Sequence, residues 1–558
     1  MKLYCRPASQ AKTLRKIGFA LISLFCAVSL SAAPNVLLIL TDNQSYHELG
    51  CHGHELVKTP HIDSLAEESV DFTNFHAPPY CSPSRGLLLT GRYALRLGIH
   101  NTVGGVSILH KDEKTLADLL GKAGYATGVF GKWHLGMSYP YSPCFRGFQK
   151  TFIHGGGGIG QLEDYFGNNH LDATYWENGK EIKTEGFSTD VLFGQATKFI
   201  DQYKKKPFFC FISTPATHKP WQSHPEVAQR ITNRDGASKT LPLLSMIENI
   251  DDNVGKILQH LEELGLRENT LVILATDQGM TNRGAPENSP ENPPSKSFDS
   301  RHHVFCMMRY PSLTKKPGRS DALAGMVDVA PTILDLCGVA IPDDLDGRSL
   351  KPLLSGEGRW KDPRHLIVQC PRGRERKKWH NASVKTQRWR LVNGEKLYDL
   401  ENGDAEVTAK HPEVVKELTA KYEKFWNSLP PVNETLSRHL LGVQDTRLNG
   451  MDWYQGGHPW NTSHFKRLSS GTWAVEVARK GRYRFELSHY PREAKKAIGA
   501  TGVTLLIGDN KKVSKLNKDT KSVVIELDLE PGNYDMTGTF SNEKETWGTY
   551  FAYVSRVD

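Results

Sequence analysis

The sequence predicts an α/β protein: a large, mostly parallel sheet sandwiched by helices, then a smaller α+β unit and a β-rich C-terminal region. Three observations carry this expectation. Short continuous apolar runs recur in the first half of the chain, and polar residues follow each one. Apolar residues at helical spacing fill the intervals between them. Beyond about residue 360 the texture changes, and from 470 onward apolar and polar residues alternate.

The elements can be justified in chain order. Residues 1–31 read as a signal peptide, with Lys2, Arg6, Lys12, Arg15 and Lys16 ahead of an apolar stretch from Ile17 to Leu30. Ser29 and Ser31 offer a cleavage site before Ala32, with Ala33 as an alternative. The apolar stretch is short for a membrane span, and no other stretch is long enough, so no stable membrane anchor is expected. Bulky Phe25 before Cys26 argues against a lipoprotein site. An exported protein, periplasmic or secreted, is the expectation.

Asn35–Leu40, Tyr125–Phe130, Pro207–Ile212 and Thr270–Ala275 are the apolar runs. Runs of this kind suit strands buried on both faces of a parallel sheet. The segment Thr115–Ala123 places Leu116, Leu119 and Leu120 on one helical face. Met246, Ile250, Val254, Ile257 and Leu261 do the same in a longer helix before the strand at 270. Strands alternating with helices imply a parallel sheet covered on both sides, with functional groups beyond the carboxyl ends of its strands. Asp42, Lys132, His134, His218 and Asp277 should therefore line one edge.

Later, HLIVQC, WRLVNG and KLYDL read as strands, followed by a helix in HPEVVKELTAKYEKFWNSL. The alternation after 470 reads as antiparallel strands. The expected division is a catalytic domain at 34–365, an α+β subdomain at 366–440 and a β-rich region at 441–558.

Net charge says little about partners. Removing the five leader cations from the formal +8 leaves +3, which gives no support for nucleic acid binding. The one dense basic run, PRGRERKK at 371–378, reads as a solvated loop, with contact to an anionic ligand as the alternative. Seven of nine cysteines survive cleavage, and their spacing gives no disulfide framework. Cys210, Cys306 and Cys337 sit in apolar runs as buried thiols would.

Cys81 differs. In PPYCSPSRGLLLTGR, Ser82 suits a helix N-cap and Pro83 a first helical position. Cys81 would then stand at a helix N-terminus, where free N–H groups favour a tetrahedral oxyanion, with Arg85 one turn on. Zinc would need further ligands at short spacing, and CSPSR has none. A structural thiol and a thiol nucleophile with a distant histidine both remain open on the residues alone.

Cys81-Ser82-Pro83-Ser84-Arg85 with Thr90-Gly91-Arg92, and Gly131-Lys132-Trp133-His134-Leu135-Gly136, resemble the two signatures of the type I sulfatases. The resemblance runs from about Asn35 to about residue 440 and implies an alkaline phosphatase-like fold. It implies that Cys81 is oxidised by a separate maturation enzyme to formylglycine, the pentapeptide being partly an address for that step. A calcium ion is implied at Asp42, Asn43, Asp277, Gln278 and residue 81, whose oxygens suit a hard cation. Two departures stand out: Asn43 where the family commonly has Asp, and Gln278 where it has Asn.

The same resemblance gives Arg85 the gem-diol, Lys132 the sulfate oxygens, His134 the proton of the nucleophile, and His218 the sulfate or leaving oxygen. Lys296 is the matching sulfate-binding lysine, although the family's glycine pair is missing; His302 and His303 are either surface residues or rim contacts. The implied reaction is hydrolysis of a sulfate monoester, with a sulfated carbohydrate as substrate and an aryl sulfate as surrogate. Sugar contacts are expected from the Gly- and Asn-rich loop at 154–179 and from Trp453, Tyr454 and Trp460, unless those aromatics are core. The alternatives are a phosphodiesterase or phosphonate monoester hydrolase of the same superfamily, and a non-catalytic binder of sulfated glycans.

Overall fold

The computed structural model of the protein describes residues 33–280, 301–373, 375–466 and 468–557. The leader and Lys296 lie outside the described residues. β1 (Asn35–Thr41) opens the fold and is followed by β2 (Val70–Phe72), β3 (Phe75–His76), β4 (Ala126–Lys132) and β5 (Lys150–His154). Then come β6 (Thr174–Glu177), β7 (Lys180–Lys183), β8 (Phe208–Ser213), β9 (Thr270–Thr276), β10 (Cys306–Arg309) and β11 (Gly318–Ser320). All but β3 form a ten-stranded sheet ordered β11-β2-β10-β9-β1-β8-β4-β5-β6-β7. The central strands β9, β1, β8, β4 and β5 are parallel, while β10 and β6 join on either side antiparallel.

Register explains the continuous apolar runs. Leu38 sits between Phe211 and Ile273, and Ile39 between Ile212 and Leu274, with successive residues pointing to opposite faces. On one face, Leu38, Leu40, Phe211 and Ile273 pack with Leu88 of α2 (Cys81–Thr90) and Leu120 of α3 (Leu116–Lys122). On the other, Leu37, Ile39, Ile212 and Leu274 meet three helices. These are α1 (Pro60–Glu67), α4 (Ser188–Tyr203) and the long helix Leu241–Glu263, which contribute Leu65, Phe193 and Ile250 among others. Thr115 caps α3 in a reciprocal box with Asp118.

Five antiparallel strands between Leu366 and Glu406 form a second sheet, against which the helix Pro412–Asn427 lays Leu418, Tyr422 and Phe425. The remaining chain folds into two antiparallel-rich sheets with a common core that includes Trp453, Trp473, Phe485 and Phe551. Among the described residues, no helix is long and apolar enough to cross a membrane.

Several expectations need correction. α2 begins at Cys81 with Tyr80 as its N-cap, so Ser82 lies inside the first turn and caps nothing. His302 is buried and His303 half-buried; neither lines the cleft described below, because both pack around His76 beneath β3. Cys337 is only half-buried. All seven described cysteines are free.

Candidate active site

Four adjacent parallel strands end in polar residues, and the ends converge. β1 delivers Asp42 and Asn43, β4 delivers Lys132 with His134 beyond it, β8 ends at Ser213, and β9 delivers Asp277 and Gln278. α2 brings Cys81 and Arg85 in from the side. Non-glycine residues with left-handed backbone mark the turns: Asn43 at φ 62° and His134 at φ 58°. Asn and His are the side chains enriched in that region, and such non-glycine positions cluster at functional sites.

The cluster is tightly bonded. The Arg85 Nε and Nη2 atoms donate to Asp277 Oδ2 at 3.0 and 2.8 Å, and Nη1 donates to the Lys132 carbonyl at 3.1 Å and Ser213 Oγ at 2.5 Å. Lys132 Nζ donates to Asp42 Oδ2 at 2.6 Å. The second Asp277 oxygen accepts the Asn43 backbone N–H at 3.1 Å. Cys81 Sγ lies 3.6 Å from Asp42 Oδ1, 3.7 Å from Asn43 Oδ1 and 3.6 Å from Gln278 Nε2. The Gln278 amide also donates to Asn43 Oδ1. Asp42, Lys132 and Asp277 are fully buried, and Cys81 and Arg85 nearly so.

Two carboxylates and two cations balance in this ring. Ligand atoms of Asp42, Cys81 and Asp277 lie within 4.8 Å of one another. Gln278 Oε1 is buried with no hydrogen-bond partner, an oxygen donor left over in the same place. Carboxylate and amide oxygens are the donor set of a hard divalent cation, so the residues fit calcium. Burial, then the neighbouring Asp42, raises the Asp277 carboxyl above its ordinary range. For Arg85, burial works against the charge, but Asp277 and Asp42 outweigh it and raise the guanidinium further. Burial also pushes the unmodified Cys81 thiol up.

His134 and His218 face this ring from above. Burial, with Lys132 next, holds His134 well below its ordinary value and His218 at about 3, so both imidazoles are neutral. His134 Nε2 lies 2.9 Å from the Thr102 carbonyl, which must accept its proton, leaving Nδ1 as the acceptor. That Nδ1 atom is buried and unpartnered. The glycine loop is what lets the chain lie on these rings. A Cβ on Gly157 would stand 2.4 Å from His134 Cε1, and one on Gly158 2.7 Å from His218 Nδ1.

A cleft of about 1000 Å³ opens over Cys81, with Asn43, His134, His218 and Gln278 also in its lining. The loop at 154–179 and the stretch at 451–461, far apart in sequence, form one wall of it. Gln161 bridges to Asn461, and the Leu162 N–H meets the Trp460 carbonyl at 3.4 Å. The three aromatics divide: Trp453 is core at 0% exposure, Tyr454 is half-buried against Gly105, and Trp460 is 45% exposed in the cleft. Tyr80, Arg301, Arg372 and Ser213 were not singled out by the sequence reading. Arg372 lay in the basic run; for the rest only proximity to a motif was visible.

Known proteins resemble this chain over most of its length. The sulfatase family profile matches residues 34–339, and that of the N-sulphoglucosamine sulphohydrolase C-terminal region matches 297–428. N-acetylgalactosamine-6-sulfatase of Canis lupus familiaris is 32% identical over 61% of this chain and 70% of its own length. N-acetylglucosamine-6-O-sulfatase of Bacteroides thetaiotaomicron is 25% identical over 72% and 88%. Human arylsulfatase A is 29% identical over 63% and 73%. Among solved structures, Ps i-CgsB superposes with a TM-score of 0.62 at 26% identity, over 70% of this chain and 92% of that one. With a matching profile across more than half of its length, the chain belongs to the sulfatase family of sulfuric ester hydrolases.

Proposed function

We propose that the protein hydrolyses sulfate monoesters of a carbohydrate, with residue 81 matured to formylglycine and a calcium ion held by Asp42, Asn43, Asp277 and Gln278. One observation carries the reading: the ring of Asp42, Asp277, Arg85 and Lys132 is buried, balanced in charge and closed around residue 81 at the N-terminus of α2. A divalent cation in that ring adds charge where an anionic sulfate must sit, and polarises its oxygens. Formylglycine at residue 81 would supply, once hydrated, the hydroxyl nucleophile for sulfur.

The chain's own residues do the rest. Arg85 fixes Asp277 from one turn along α2 and, by resemblance, stabilises the gem-diol of residue 81. Lys132 neutralises Asp42, and resemblance assigns its ammonium to the sulfate oxygens. His134, with Nδ1 free to accept, takes the proton from the attacking hydroxyl. His218 lines the cleft, where resemblance assigns it a contact with the sulfate or the leaving oxygen. Lys296 is assigned a sulfate contact by resemblance alone.

A sulfated sugar is favoured by exposed Trp460, which offers a stacking face beside polar Asn168, Gln161 and Asn461. Relatives named for 6-sulfated hexosamines point the same way. The leader implies export, and the maturation enzyme is the required partner. The test is release of sulfate from 4-nitrophenyl sulfate and from sugar sulfates by protein co-produced with a formylglycine-generating enzyme. Activity should need calcium and exceed that on matched phosphate diesters and phosphonates. Faster phosphorus chemistry, or tight glycan binding by matured protein without turnover, would contradict the proposal.

A further inference from the structure

A second cavity, of about 350 Å³, lies at the seam between the first sheet and the C-terminal β-rich region. Ile153 of β5 and Trp176 of β6 form one side of it. Arg447 and Tyr553, directly opposite one another on the strands Thr446–Asn449 and Phe551–Arg556, form the other. The described lining shares no residue with the cleft over Cys81. Its size suits one small organic ligand.

Polar atoms are left over inside it. Arg447 Nε and Nη2 are buried and have no hydrogen-bond partner among the described residues, and neither has Glu493 Oε2. A guanidinium offers two parallel N–H bonds along that edge, as Arg85 does to Asp277. Arg447 Nη1 stands 3.9 Å from Glu493 Oε1, so the orphaned donors and the orphaned acceptor are neighbours. Burial works against the charge on Arg447, but Tyr553 and Glu493 outweigh it and raise the guanidinium further. Buried donors and acceptors are ordinarily paired, so three orphans around one cavity mark it as a place for a polar ligand.

We infer that this cavity is a non-catalytic site for a neutral sugar residue, held through a vicinal diol. Adjacent hydroxyl oxygens accept from the Nε–Nη2 edge of Arg447, and one hydroxyl hydrogen goes to Glu493 Oε2. Ile153, Trp176 and Tyr553 supply apolar surface for the pyranose ring. Glu181 and Asp445, both exposed, also line the cavity, and their like charge disfavours a sugar acid. The other guanidinium in the lining, that of Arg492, donates to Glu486 at 3.1 Å and lies 4.0 Å from the Tyr553 ring centroid. Glu163 lines this cavity and Gln161 the cleft, so the two sites share one loop.

The test is a ligand-observed NMR titration of the full-length protein with the methyl glycosides of glucose, galactose and mannose, none of which carries a sulfate. At least one should bind with a millimolar or tighter dissociation constant. Glu493→Gln, in protein with an unchanged unfolding midpoint, should weaken that binding about tenfold or more, and Arg447→Met should abolish it. Trp460→Ala, in the other cleft, should leave it intact. The methyl glycoside of glucuronate should bind more weakly than methyl glucoside. No binding of any neutral glycoside, leaving the cavity to water, overturns the inference. So does binding that Trp460→Ala removes and Glu493→Gln spares, or a uronate that binds more tightly than its neutral parent. Sulfate release from 4-nitrophenyl sulfate by matured protein, measured in parallel, reports on the catalytic reading alone.

Discussion

At residue 43 a single side chain sets the charge of the ring proposed to hold calcium. Asn43 contributes an amide oxygen where an aspartate would contribute a carboxylate, and Gln278 donates its amide to that oxygen. The ring thus holds two carboxylates against Arg85 and Lys132 rather than three. Replacing Asn43 by Asp should raise calcium affinity by about tenfold, because each added ligand charge strengthens binding of a hard cation. A calcium titration followed by the unfolding midpoint reads this directly, and an unchanged affinity would remove Asn43 from the ligand set. The main site residues were legible because each follows an apolar run or sits in a compact motif: Asp42, Cys81, Arg85, Lys132, His134 and Asp277. Ser213 was not, since a serine ending a strand carries no sign that an arginine elsewhere will bond to it.

Among the elements, the glycine loop matters most. Gly157 and Gly158 lie where a Cβ would collide with the two neutral imidazoles. Gly157→Ala should therefore displace His134 and lower kcat for 4-nitrophenyl sulfate by 10²-fold or so, the scale of a misplaced acid–base group. The unfolding midpoint should hardly move, since the loop covers the cleft rather than the core. Unaltered kcat would mean that His134 does not handle the proton. The parallel core of the sheet was readable from its continuous apolar runs, because strands buried on both faces leave no alternation. The start of α2 was misplaced by the Ser-Pro pair: local capping preference yielded to a helix already begun at Cys81. The shared wall of 161–162 with 460–461 had no local signal at all, being a tertiary pairing across the chain.

For the whole molecule, the second sheet packs a buried lysine against β3. Lys385, on the strand Ala382–Lys385, is buried with its Nζ 2.7 Å from His76 Nε2, and His302 lies 3.3 Å beyond. Burial holds Lys385 at about 7 and His303 at about 3, each below the ordinary value of 10.5 or 6.5. Both are bases with depressed folded-state values, so the unfolded chain binds more protons and stability rises with pH. For Lys385 the rise runs from about pH 7 to 10.5, and for His303 from about pH 3 to 6.5. Lys385→Met should flatten the rise in unfolding free energy between pH 7 and 10; equal slopes in the two proteins would contradict the burial of a neutral amine. The central claim concerns residue 81 and is tested most directly by the mass of the proteolytic peptide that contains it, from protein matured in a host with the formylglycine-generating enzyme. An aldehyde in place of the thiol, lost when Arg85 of the recognition motif is replaced, is the result expected. An intact thiol in protein that still releases sulfate would contradict the account.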